Sequence, residues 1–228
     1  MIVLIAATLA AAAPAASAPP AACPNLVTAD AFVCRALAAQ RAGDDAAAAA
    51  AFEQAALASP DKDPATGRAW AAAGNLWIAA GQPAKAALAL DKALAVPGLE
   101  GTQRGEALLD RARAAEAQND LTTARTKLNE AAAMISGDPF YWYFSAALYL
   151  REQNSQAAQA AIGRALTLAP ADPTILFEAG HVAQFAGDIV GARDYWQRAV
   201  ARDPAGPIGK AAQDALNMLP APLTVKTN

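Results

Sequence analysis

Few side chains in this sequence have the chemistry of a nucleophile, a neutral-pH base or a soft metal ligand. His181 is the single histidine, and Cys23 and Cys34 are the only cysteines. One histidine without a nucleophile motif around it does not make a Ser-His-Asp or Cys-His arrangement. Structural zinc takes four cysteine or histidine ligands, and the chain has three such residues. No glycine-rich phosphate loop follows a strand, so we expect no enzymatic activity, no metal and no cofactor.

The two cysteines, 11 residues apart, have three interpretations. In an oxidising compartment they form a disulfide that ties the N-terminal segment to the first helix. Alternatively they are unrelated thiols, and Cys34 is a small packing residue. In a third interpretation Cys23 is a lipoprotein cysteine, although the preceding residues, Pro20-Ala21-Ala22, lack the leucine-like residue expected three positions upstream.

The N-terminal segment has the character of an export signal. The first 29 residues contain no charged side chain, and the apolar run Ile2–Ala13 is followed by Pro14 and the small-residue sequence Ala16-Ser17-Ala18. This predicts a cleaved signal peptide over residues 1–22 and a periplasmic or secreted mature protein. The alternative is an uncleaved segment that anchors the chain in the inner membrane. Because a spanning helix needs about 20 apolar residues, we expect no stable membrane span after cleavage.

Composition narrows the partners. The formal net charge is −3 and the isoelectric point is about 5.2, whereas nucleic-acid-binding domains usually carry a basic surface. Apolar residues make up 55% of the chain but aromatic residues only 6%. An alanine-rich composition of this kind favours closely packed helices. We therefore expect no nucleic-acid partner.

The chain repeats with a period near 34 residues. Aligning Pro139–Pro170 with Pro173–Pro204 matches Trp142 with Leu176, Ala158 with Ala192, and the terminal prolines with each other. Three earlier copies follow the same pattern once short insertions at 61–64 and 99–102 are interpreted as loop extensions. The predicted units span residues 29–66, 67–104, 105–138, 139–172 and 173–206.

The recurring order of residue types is a large residue, a small residue, a glycine turn, alanine, an aromatic residue, alanine and proline. Gly187–Val200 followed by Pro204 shows it most clearly. This pattern resembles the tetratricopeptide repeat (TPR) over residues 29–206. The resemblance implies an all-α, right-handed α-solenoid of about five helical hairpins. We expect an N-terminal extension at 23–28, a capping helix at 207–219 and a tail at 220–228.

The repeat also assigns structural roles. Gly43, Gly81, Gly187 and Asn119 are expected in a left-handed conformation between the two helices of a unit. Small residues are expected where the helices approach closely, and Pro60, Pro97, Pro170 and Pro204 end the second helices. Trp142 and Tyr149 occupy packing positions and are expected in the core. In the capping helix, we expect the apolar residues Ile208, Leu216, Met218 and Leu219 to pack.

By the same resemblance, the first helix of each unit lines an inner groove. Aromatic and arginine side chains collect there, and such residues often carry binding energy at interfaces. The predicted partner-binding residues are Asn75, Arg113, Phe140, Tyr143, Arg151, Phe177, His181 and Gln184. We expect the groove to hold an extended peptide or a partner helix, with an acidic or carboxyl group among its contacts.

These patterns predict a non-catalytic periplasmic scaffold or assembly factor that binds a protein or peptide. One alternative is an accessory subunit of an envelope enzyme or biogenesis complex. Another is a self-assembling structural protein, in which the groove holds the C-terminal helix of another copy.

Overall fold

The computed structural model describes residues 23–60 and 63–220, and this part of the chain contains helices and no β-strand. The predicted signal peptide at 1–22 and the last eight residues of the predicted tail, 221–228, lie outside the described residues. The helices are α1 (Ala29–Arg41), α2 (Asp45–Ala58), α3 (Pro64–Ala79), α4 (Pro83–Ala95), α5 (Gly101–Ala117), α6 (Leu121–Ile135), α7 (Pro139–Arg151), α8 (Ser155–Leu168), α9 (Pro173–Phe185), α10 (Ile189–Arg202) and α11 (Pro207–Met218). The predicted all-α class is confirmed.

Consecutive helices pair into five hairpins, α1–α2 through α9–α10, each closed by one residue with a positive φ angle. The five are Gly43 (76°), Gly81 (68°), Asn119 (62°), Gln153 (59°) and Gly187 (82°). The next residue donates its backbone N–H to the carbonyl five positions back, which caps the first helix. The predictions for the three glycines and Asn119 are confirmed. Gln153 adopts the same conformation, at a cost of roughly 1–2 kcal/mol for a residue with a Cβ atom.

The first helices of the second and third hairpins begin earlier than the repeat register predicts. Asp63 accepts a hydrogen bond from the backbone N–H of Ala65 at 2.8 Å, and Pro64 takes the first helical position. Gly101 is likewise the first residue of α5. The expected loop extensions at 61–64 and 99–102 therefore contribute residues to helices, and α3 and α5 have 16 and 17 residues, against 13 in α7 and α9.

Small residues lie where the two helices of a hairpin approach most closely, as predicted. A Cβ atom on Gly74 would lie 2.4 Å from Cγ of Leu90, and one on Gly180 would lie 2.2 Å from Nε1 of Trp196. Only glycine permits these two approaches. Alanines that are fully buried occupy the facing position on the second helices: Ala48, Ala86, Ala124, Ala158 and Ala192.

The prediction that Trp142 and Tyr149 belong to the core is wrong, because both are half-buried. Trp142 donates its indole N–H to the carbonyl of Ser136 at 2.7 Å, and the guanidinium of Arg125 lies 3.8 Å from the centroid of the Tyr149 ring. Aromatic side chains with a polar atom or a cation partner tend to stay at the edge of a core. The buried bulky residues of α7 are Tyr141, Phe144 and Leu148.

Both ends of the solenoid are covered. At the N-terminus Cys23 and Cys34 form a disulfide, and Arg35 donates to the carbonyls of Pro24 and Leu26. At the C-terminus α11 packs against the last hairpin through Ala212, Ala215 and Leu219. The expected packing role of Met218 is wrong, since its side chain is 78% exposed. A solenoid needs such caps because each hairpin leaves an apolar face for its neighbour.

Candidate peptide-binding groove

The first helices from α3 onward form the inner face of the solenoid. They contact one another directly, α3 with α5, α5 with α7 and α7 with α9. Each second helix contacts the first helix of its own hairpin and of the next one. Helices on the inside of a curved stack approach one another more closely than those on the outside. The predicted groove residues on α3, α5, α7 and α9 therefore share the concave side.

A cleft of about 430 Å³ separates α3 from α5 on this face. Its floor includes Leu99 and Leu109, and its polar rim includes Arg68, Asn75 and Glu106. Both helices have their extra N-terminal residues here, so the cleft depends on the early helix starts. It offers an apolar strip between polar side chains, which suits a peptide backbone with one inserted apolar side chain.

The carboxylate of Asp110 brings two of the predicted site residues together. Nδ2 of Asn75 donates to Oδ2 at 2.8 Å, and Nη1 of Arg113 donates to Oδ1 at 2.8 Å. Asn75 lies on α3 and the other two residues lie on α5. This network holds adjacent hairpins together, and the charge of Arg113 is already paired.

Arg151 has a similar position one hairpin later. Its guanidinium forms an ion pair with Glu116, and Nη2 donates to Oδ1 of Asn119 at 2.9 Å. These bonds join the end of α7 to the end of α5. Neither arginine predicted for partner binding is free of an internal carboxylate. The groove therefore presents less unpaired positive charge than the sequence suggested.

Three other predicted residues come together between α7 and α9. The ring centroids of Phe177 and His181 are 4.4 Å apart, edge to face, and Tyr143 contributes from α7. Burial raises the pKa of the Tyr143 phenol, and the negative charge of nearby Glu178 raises that pKa further. We call Tyr143, Phe177, Glu178 and His181 the aromatic pocket.

Second helices support the aromatic pocket from behind. Trp196 on α10 donates its indole N–H to the carbonyl of Phe177 at 3.0 Å, and its ring centroid is 5.5 Å from that of His181. Because Trp196 is almost fully buried, it fixes the pocket wall in one position. Gly180 makes this possible, since any side chain there would overlap the indole.

The remaining predicted residues lie at the edges. Phe140 lies edge-on to Tyr143, with ring centroids 6.1 Å apart, and 46% of it is exposed. Gln184 is exposed near the end of α9. Their role in binding stays a prediction, as does that of the rest of the groove.

Two groove residues were missed by sequence reasoning, Asp110 and Glu178. Both lie one helical position beyond the inner-face positions that the repeat pattern marks. A signal for Glu178 was present, because it is a lone carboxylate between apolar residues, Ile175 to Phe177 on one side and Ala179 on the other. A charge in such a setting needs a partner.

Two negative findings apply to the described residues only. Residues 23–60 and 63–220 contain no group of three histidine, cysteine, aspartate or glutamate side chains placed to hold a metal ion. Over the same residues, none of the helices combines the length and hydropathy required to cross a lipid bilayer.

The sequence matches no protein-family profile and no curated protein. The fold, in contrast, is shared with solved structures. PilW, described as a widely conserved type IV pilus biogenesis factor, has a TM-score of 0.66 and 19% identity, covering 81% of this chain and 82% of PilW. YrrB, described as a TPR protein with an unusual peptide-binding site, has a TM-score of 0.56 and 16% identity, covering 83% and 94%.

A tetratricopeptide repeat protein from Parabacteroides merdae has a TM-score of 0.63 and 15% identity, covering 82% of this chain and 72% of its own. At these identities the similarity concerns the fold. The five hairpins, their left-handed turns and the small residues at the helix crossings agree with it. The chain is therefore a solenoid protein with the tetratricopeptide-repeat fold.

Proposed function

We propose that this protein is a non-catalytic periplasmic scaffold or assembly factor that binds an extended peptide or a helix of a partner protein along its inner face. The observation that carries the proposal is the aromatic pocket, flanked by exposed Phe140 and continued by the cleft between α3 and α5. Aromatic side chains that remain partly open to solvent on a concave surface are typical of peptide-binding grooves.

The scaffold supports this use of the groove. The backbone of the inner face is fixed by interhelical bonds such as that of Asn75 to Asp110, so a partner would meet a preformed surface. Preformed surfaces bind with a smaller entropy loss than flexible ones. The groove is also continuous across four helices, which suits an elongated segment better than a small molecule.

Two observations favour the cell envelope. A disulfide between Cys23 and Cys34 persists in an oxidising compartment and not in most cytosols. The uncharged apolar segment that precedes Cys23 has the composition of an export signal. Among proteins of similar fold, PilW is a pilus biogenesis factor and YrrB has a peptide-binding site, and both agree with a role in assembly through peptide capture.

Site-specific photo-crosslinking tests the proposal. A benzophenone amino acid replaces Phe140 or Phe177 in the groove, and, as matched controls, Leu57 or Leu88, which are both 65% exposed on second helices. After irradiation of cells, we expect partner adducts from the groove positions and few from the controls, in the periplasmic fraction. Equal adduct yields from Leu57 and Leu88, or recovery of the chain from the cytosol, would contradict the proposal.

A further inference from the structure

Asp110 and Glu178 occupy the same place in the repeat. Asp110 lies nine residues before the left-handed residue Asn119, and Glu178 lies nine residues before Gly187. Both carboxylates therefore lie on the side of a first helix that faces the preceding hairpin. They provide a comparison within one molecule.

The two carboxylates differ in their partners. Asp110 accepts hydrogen bonds from Asn75 of the preceding hairpin and from Arg113 of its own helix, each at 2.8 Å. Glu178 has one polar side-chain contact among the described residues, Nδ1 of His181 at 3.5 Å. That distance is at the outer limit for a hydrogen bond.

The missing partner has a simple cause. Asn75 lies six residues before the left-handed Gly81, and the residue six before Gln153 is Ala147. The alanine has no donor, and its small side chain leaves space above the Glu178 carboxylate. Only 9% of Glu178 is exposed. A buried carboxylate is unfavourable unless a cation or several donors satisfy it.

The surroundings of Glu178 are suited to a cation. Tyr143, Phe177 and His181 enclose it, and aromatic faces attract cations through their quadrupole. Elsewhere in the described residues the chain covers its own rings, with Lys92 over Trp70 at 4.1 Å and Lys85 over Trp77 at 4.2 Å. Within residues 23–60 and 63–220, no lysine or arginine stacks on the pocket rings in this way.

We propose that the aromatic pocket binds a lysine or arginine side chain of the partner peptide, with the cation on the Glu178 carboxylate and its aliphatic part against Phe177 and Tyr143. The proposal rests on the groove being a peptide site and specifies the chemistry of the peptide. It replaces the expected acidic group, because the groove arginines Arg113 and Arg151 are already paired with internal carboxylates.

The test uses NMR titration of the isotope-labelled mature chain with Nα-acetyl-argininamide. Its matched neutral control is Nα-acetyl-citrullinamide, which has nearly the same shape and no charge. We expect saturable shifts confined to residues around Tyr143, Phe177 and Glu178 with the arginine compound and much smaller shifts with the citrulline compound. Equal binding of both compounds, or no shift in this region, would overturn the proposal.

Variants locate the site. Glu178→Gln keeps the shape and removes the charge, and loss of a charge-assisted contact should weaken binding about tenfold or more. Glu106→Gln removes the same charge from the rim of the cleft between α3 and α5 and should leave binding unchanged. An equal effect of the two substitutions would mean that only net charge matters, and the proposal would fail.

Ala147→Asn provides an independent check. It supplies the donor that Asn75 supplies to Asp110, so the pocket should close and cation binding should be lost although Glu178 remains. Retained affinity in this variant would contradict the proposed geometry. Crosslinking from Phe140 reports any peptide in the groove, so it can succeed when these titrations fail, and the two proposals are separable.

Discussion

Tyr143 is the residue whose ionisation the groove changes most directly. Burial is the main cause of its raised pKa, and the carboxylate of Glu178 adds to the effect, while Arg113 opposes it. Tyr141 on the same helix also has a raised pKa, again mainly through burial. Both phenols therefore keep their proton in the folded protein at pH values where the unfolded chain would lose it.

This difference predicts the behaviour of the protein in alkali. A raised pKa in the folded state stabilises the protein fully below the unfolded pKa, near 10.0, and this contribution is lost as the pH rises through the folded pKa. Absorbance of tyrosinate should therefore appear partly above the pH at which the denatured chain titrates. Tyr143→Phe should remove part of that late absorbance. An unchanged late phase in both Tyr143→Phe and Tyr141→Phe would contradict the burial of these phenols.

At the scale of helices, the position of each inner-face residue depends on how closely the two helices of its hairpin approach. Gly180 allows the indole of Trp196 to lie against α9, and this contact supports the carbonyl of Phe177. Gly163 on α8 is a contrasting case, since a Cβ atom there would have no neighbour within 4 Å. The two glycines form a matched pair.

Substituting each glycine by alanine should have opposite effects. Gly180→Ala should destabilise the protein by about 1–3 kcal/mol, because overlap with Trp196 forces the helices apart. Gly163→Ala should stabilise it by about 0.5–1 kcal/mol, because alanine loses less backbone entropy in a helix. Urea unfolding followed by circular dichroism measures both. Stabilisation by Gly180→Ala would show that the helix crossing is looser than described.

At the scale of the whole molecule, the contacts run between neighbouring hairpins, so stability is distributed along the stack. In such solenoids each unit depends on its own stability and on its interfaces. The ends are the weakest points. α11 covers one end, and the disulfide with the segment before α1 covers the other.

Removal of the disulfide should therefore act locally. The bond closes a segment of 11 residues, so in the chain-entropy model the Cys23→Ser, Cys34→Ser double variant should lose about 2–3 kcal/mol. Hydrogen exchange followed by mass spectrometry should show faster exchange in α1 and unchanged protection in α7 and α9. Wild-type protein under reducing conditions is the control and should behave like the variant. Loss of protection throughout the stack would contradict a distributed, nearest-neighbour stability.

The sequence by itself determined the hairpins, because the information is local and periodic. Glycine or asparagine at the turns, small residues at the crossings and prolines after the second helices each act within one unit. The disulfide belongs to the same class, since its two cysteines lie next to each other along one short segment. The sequence also placed Tyr143, Phe177 and His181 on the inner face through the repeat register.

The tertiary structure alone decided which charges are paired. Arg151 reaches Glu116 and Asn75 reaches Asp110 across a boundary between hairpins, 35 residues apart in both cases. Whether such side chains meet depends on the offset between units, which the early starts of α3 and α5 change. For the same reason Glu178 remained inconspicuous. Its importance follows from the absence of a donor at Ala147, and that relation exists only once the two helices are packed together.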